Sequence, residues 1–129
     1  MRATEINVLI YDGFIVKIKA QKGIFQIKHI KPYKTVILIE LMNGTKILMS
    51  KKKFSKSEFI IKDTQYEEQS SYDLNEISEI LKNSKQILYR GKIVTDVQII
   101  ENRILIKTKN GTEYILTPYH LLNSNIVMK

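Results

Sequence analysis

The sequence has no cysteine and no tryptophan, and only two prolines and five glycines among 129 residues. Without cysteine there is no disulfide framework, no thiolate zinc site and no cysteine nucleophile, and the chain suits a reducing compartment. No stretch approaches the roughly 20 apolar residues of a membrane span. The opening Met1-Arg2-Ala3-Thr4-Glu5 leads into a strand-like run without the pattern of a secretory signal. These absences predict a cytoplasmic protein with no membrane partner. Acids are also scarce, 13 Asp+Glu against 21 Lys+Arg, for a net charge of +8. With 43% hydrophobic residues the chain is too apolar for disorder, and its length suits one domain or two very small ones.

The charge is unevenly placed. Residues 1–62 hold 13 basic and 4 acidic side chains, a balance of +9. Residues 63–84 hold one Lys and six acids, −5, and residues 85–129 hold seven and three, +4. Two basic segments therefore flank an acidic connector.

Period-two alternation dominates. Phe14, Val16, Ile18 and Ala20 alternate with Ile15, Lys17, Lys19 and Gln21, and the run Ile24 to Ile30 ends near Pro32, which has no ladder donor. Val36–Leu41, Lys46–Met49, Phe59–Ile61, Ile87–Tyr89, Ile93–Ile100, Ile104–Thr108, Glu113–Leu116 and Ile126–Met128 extend the set of short β-branched runs. One segment is helical: Leu74, Ile77, Ile80 and Leu81 share a face, with Asp73 as N-cap and Glu76 completing a capping box. Thr64 to Ser71 lacks apolar periodicity and reads as an exposed linker.

An internal repeat organises these elements. Lys34 to Ser50 lies over Glu101 to Thr117 without a gap, aligning Asn43-Gly44-Thr45 with Asn110-Gly111-Thr112. The same offset brings Phe54 onto Leu121 and Phe59-Ile60-Ile61 onto Ile126-Val127-Met128. Upstream, Lys22-Gly23 can be laid on Arg90-Gly91, or Tyr11-Asp12-Gly13 on Tyr89-Arg90-Gly91, and both registers stay open. Each Asn-Gly predicts a two-residue type I′ hairpin. Strand, strand, hairpin, strand, short helical turn and strand resembles the order of SH3-like small barrels. The expectation is a mainly β protein of two repeated SH3-like units. Residues 1–62 form the first, with one or more extra N-terminal strands, 63–84 an acidic linker with one short helix, and 85–129 the second.

The basic residues are the functional candidates. Lys17, Lys19, Lys22, Lys28, Lys31 and Lys34 fall in the first hairpin region, Lys51, Lys52 and Lys53 in the turn before the last strand, and Arg90, Arg103, Lys107 and Lys109 in the second unit. Ammonium groups arrayed on a strand face attract phosphates independently of sequence, and Phe25, Tyr33, Tyr89 and Tyr119 are candidate stacking faces for unpaired bases. Lysine also solvates exposed strand edges, and only three basic residues are Arg, the better base reader. The reading is a non-enzymatic accessory protein that contacts DNA or RNA without sequence specificity.

A second reading comes from the outer row of the first unit. The row Val36, Leu38, Glu40 and Met42 is largely apolar where the matching Arg103, Leu105, Lys107 and Lys109 are mostly basic, which suggests a cover. The cover is the N-terminal segment, the helix or a second copy, the last making a homodimer. The alternative function is then a protein-interaction adaptor or inhibitor of phage or mobile-element type, docking by its strand edges and this apolar outer row, with an acidic protein as the alternative partner. No catalytic residues, metal ligands or cofactor are expected. His29 and His120 stand in non-matching contexts, and no phosphate loop, Gly-x-Ser-x-Gly elbow or His-Glu-x-x-His is present.

Overall fold

A computed structural model describes residues 2–64 and 72–129, so most of the expected linker, including Glu67 and Glu68, lies outside the described residues. The protein is mainly β, in two compact units, Met1–Ile61 and Lys62–Lys129. The first runs α1 (Ala3–Tyr11), β1 (Ile15–Ala20), β2 (Gly23–Pro32), β3 (Val36–Leu41), β4 (Lys46–Ser50), α2 (Lys51–Lys56) and β5 (Phe59–Lys62), whose last residue opens the second unit. The second continues with α3 (Leu74–Lys82), β6 (Ile87–Tyr89), β7 (Lys92–Ile100), β8 (Arg103–Thr108), β9 (Glu113–Leu116), α4 (Pro118–Leu122) and β10 (Ile126–Met128).

Hydrogen bonding orders the strands β5-β1-β2-β3-β4 in the first unit and β10-β6-β7-β8-β9 in the second. Neither order closes. Among the described residues β5 does not pair with β4, nor β10 with β9, so the closed barrels expected from the sequence are corrected to open sheets.

The N-terminal segment is a second correction: residues 3–11 form a helix, not an extra strand. Ile6, Val8 and Ile10 carry β propensity, but Ala3, Ile6 and Leu9 form a buried stripe at helical spacing, and tertiary burial overrides the local preference. Asn7 explains the docking. Strand β2 pairs with β1 through Gly23–Gln26, then with β3 from Ile27 onwards, with a bulge between Ile27 and His29. At Ile30 the edge facing away from β3 is taken by the Asn7 amide, which donates to the Ile30 carbonyl at 2.7 Å and accepts from its N–H at 2.9 Å. A side-chain amide thus completes the ladder where β1 has ended.

Alternation places most of the core as expected, but on β8 Leu105, expected on the outer row, is buried between Ile104 and Ile106. Ile37, Ile39 and Leu41 are buried on β3, as are Ile104, Ile106 and Thr108 on β8. The Asn-Gly turns differ from expectation. Leu41 N–H donates to the Thr45 carbonyl and Gly44 N–H to the Leu41 carbonyl, a three-residue loop in which Gly44 takes φ +87°. Thr108, Asn110, Gly111 and Thr112 repeat it, with Gly111 at φ 88°. This is the type I turn with a glycine bulge, not a type I′ pair. In each loop the Asn Oδ1 accepts from the Thr N–H two residues on, at 2.9 Å and 3.2 Å. The type I′ geometry appears instead at Arg90-Gly91, where both φ angles are positive between the paired Tyr89 and Lys92.

Candidate nucleic-acid interface

The first unit concentrates the charge. Residues 1–61 carry 12 Lys+Arg and 4 Asp+Glu, a balance of +8, whereas residues 62–129 carry nine of each and are neutral. The whole net charge of the protein therefore belongs to one unit.

Strand register decides where these cations stand. Lys17 and Lys19 alternate with buried Val16 and Ile18, so they project from the outer face of β1. Lys17 is exposed; Lys19 is half-buried and lies 3.6 Å from Glu58, a pairing of modest strength at that exposure. On β2 the bulge sets His29 opposite Glu40 and Lys31 opposite Leu38, on the face opposite buried Ile27 and Ile30. Lys28 sits in the bulge, Lys22 in the β1–β2 turn and Lys34 in the β2–β3 turn, all exposed. The Lys31 ammonium lies 5.3 Å from the centroid of the Tyr33 ring, which is 46% exposed, an arrangement that keeps an aromatic surface beside a cation. Phe25 is half-buried opposite Ile18.

Lys51, Lys52 and Lys53 form the first turn of α2. The Ser50 hydroxyl caps this helix by accepting from the Lys53 N–H at 3.1 Å, and Phe54 anchors it, 2% exposed, with its ring 5.4 Å from that of Phe59. All three lysines are exposed. Arg90 and Lys109 are exposed in the second unit, whereas Arg103 and Lys107 are half-buried.

One stacking candidate is corrected. Tyr89 is 2% exposed, edge-on to Tyr114 at 4.9 Å, with its hydroxyl donating to Ser124 Oγ at 3.2 Å. Burial raises its pKa above 10, with the Ser124 hydrogen bond and the Arg90 charge acting in the opposite direction. Alternation turns this ring inward, so it offers no face to a base. Tyr119 is 50% exposed, edge-on to His120. Of the proposed protein-contact residues, Val36 and Leu38 are half-buried and Met42 is exposed. Leu48, which the sequence reading missed, is 65% exposed directly opposite Leu38.

A polar cluster in the second unit also escaped sequence reasoning. Asp63, assigned by composition to a solvated linker, is 1% exposed. Its Oδ2 accepts from the Thr117 hydroxyl at 2.7 Å and is in direct hydrogen-bond contact with His120 Nδ1. Thr117 caps α4, its Oγ1 accepting from the His120 N–H at 3.4 Å. The available signal was Thr117-Pro118-Tyr119-His120, a capped helix start with Pro at N1. A carboxylate 57 residues away leaves no linear trace. Its partners explain its burial.

With this geometry in place, comparison with known proteins adds one result. The chain is 34% identical over 116 residues to "Uncharacterized protein 3" of Sulfolobus islandicus filamentous virus (isolate Iceland/Hveragerdi), across 90% of this chain and 84% of the viral protein. It belongs to that viral protein's family. A viral relative accords with the phage or mobile-element origin expected from the sequence. No family model matches the chain, and no solved structure does. Among the described residues no helix is long and apolar enough to cross a membrane.

Proposed function

We propose that this member of the viral family is a non-enzymatic nucleic-acid-binding accessory protein whose first unit contacts the phosphate backbone. The observation that supports it best is the charge division: a +8 unit joined to a neutral one. Lys17, Lys31, Lys28 and the α2 lysines supply exposed ammonium groups, and Tyr33 beside Lys31 supplies an aromatic surface. Lysine dominance favours phosphate contact over base reading.

We also read the chain as two related SH3-like units. Both run helix, four strands, helix, strand, in the same strand order. Ser50 and Thr117 cap corresponding helices, and buried Phe54 and Leu121 occupy corresponding places. The turn residues Lys22-Gly23 and Arg90-Gly91 both join the first two strands, which favours the first upstream register.

The protein-docking reading draws on Leu38 and Leu48, adjacent across β3 and β4 on the outer face with Met42 beyond them. A salt titration against labelled single-stranded and duplex oligonucleotides separates the two. With about four phosphate contacts, affinity falls about 10²-fold between 50 and 200 mM salt. Lys51→Glu/Lys53→Glu should weaken binding and lower the salt slope by about two, whereas Val36→Asp/Leu38→Asp should spare it. Affinity that ignores salt, or is no better than about 1 mM at 50 mM salt, overturns the phosphate reading.

A further inference from the structure

The first unit contains a cleft that shares one residue, Lys51, with the phosphate reading. It has a volume of about 310 Å³ and is bordered by the start of α1, the end of β2, β3 and α2. Ala3, Ile37 and Phe54, all under 9% exposed, and Pro32 supply apolar walls. Two exposed cations, Arg2 and Lys51, also line it, and among the described residues no carboxylate does. An apolar space with cations and no counter-charge suits a ligand whose tail is aliphatic and whose head is anionic. Its volume equals about ten waters at roughly 30 Å³ each, room for a chain of about eight carbons.

The second unit lacks the same combination. In α4, Pro118 and Leu122 hold the first and fifth helical positions, where α2 has Lys51 and Ser55. The cation is absent there and a larger apolar side chain replaces the serine.

We propose that this cleft binds a medium-chain aliphatic carboxylate, with the tail against Ile37, Phe54 and Pro32 and the carboxylate held by Arg2 and Lys51. The proposal shares Lys51 with the proposed phosphate surface, but its ligand and its test involve no nucleic acid. Its test is an NMR titration of the full chain with octanoate and, separately, with octyltrimethylammonium, which has the same tail and the opposite charge. Octanoate should give saturable shifts at Ala3, Thr4 and Ser55 and bind at least about ten-fold tighter than the cation. Arg2→Glu/Lys51→Glu should erase that preference, and Ser55→Trp, at an exposed helix position lining the cleft, should block octanoate while the spectrum stays dispersed. Equal affinity for the two head groups, no saturation by about 10 mM octanoate, or undiminished binding in a folded Ser55→Trp variant overturns the proposal.

Discussion

Met1–Ile61 and Lys62–Lys129 pass through the same succession of helix, four strands, helix and strand, yet the first holds 12 basic and 4 acidic residues and the second nine of each. What they share is inward or local: alternating apolar positions, an Asn-Gly-Thr loop closed by its own side chain, and a hydroxyl cap on the short helix before the last strand. What differs is outward charge and the way each unit satisfies its buried polar groups. In the first unit a neutral amide on α1 finishes a strand edge. In the second, a carboxylate is sunk against a histidine and a threonine. The same order of strands therefore carries two surfaces of different charge.

That contrast can be broken at its buried polar groups. Asp63→Ala should cost the second unit about 2–3 kcal/mol, because the buried Thr117 hydroxyl and His120 Nδ1 lose their shared partner. Native-state hydrogen exchange resolves the location: amides of β9 and α4 should lose protection while those of β2 and β3 keep it. Equal loss in both units would show that the cluster does not belong to the second unit alone. Asn7→Ala is the counterpart. Alanine favours the helix, so the measured loss, about 1–2 kcal/mol, is a lower bound on the two hydrogen bonds to Ile30, read as faster exchange at Ile30 and along α1. An unchanged Ile30 amide would mean that apolar packing of Ile6 and Leu9 alone holds the helix.

These two residues also mark where sequence reading stops. Most strand positions and the Asp73-capped helix were legible because each depends on spacing within a dozen residues, whereas the helix face expected from Leu74, Ile77, Ile80 and Leu81 is corrected at Ile80, which is exposed while Ser78 is buried. Asp73 indeed accepts from the Asn75 and Glu76 N–H groups. Helix α1 was not legible, since its β-branched residues mimic a strand and its decisive partner, the Ile30 edge, lies 23 residues away. Composition placed Asp63 with the solvated acids, and only the fold brings it to Thr117 and His120. Tyr89 looked like a stacking ring until alternation from its two-residue turn set it inward. Closure failed for a different reason: strand order can be inferred from element order, whereas pairing of the first and last edges depends on strand length and bend.

The smallest expected effect concerns the turn between the second and third strands of each unit. In the first, Tyr33, Lys34 and Thr35 make the connection without a positive φ, and Tyr33 N–H donates to the Val36 carbonyl at 2.9 Å. In the second, Glu101 and Asn102 connect the paired Ile100 and Arg103, and Glu101 takes φ +55°. A residue with a Cβ pays about 1 kcal/mol in this left-handed region, whereas glycine enters it freely. Glycine also gains entropy in the unfolded chain, which takes back part of the relief. Glu101→Gly should therefore stabilise the second unit by about 0.5 kcal/mol, read as reduced amide exchange in β7 and β8 with no change in β2 and β3. Glu101→Ala keeps the strain while removing the charge and should stay close to the parent. If alanine stabilises as much as glycine, the carboxylate and not the backbone is responsible, and the two turns differ in electrostatics alone.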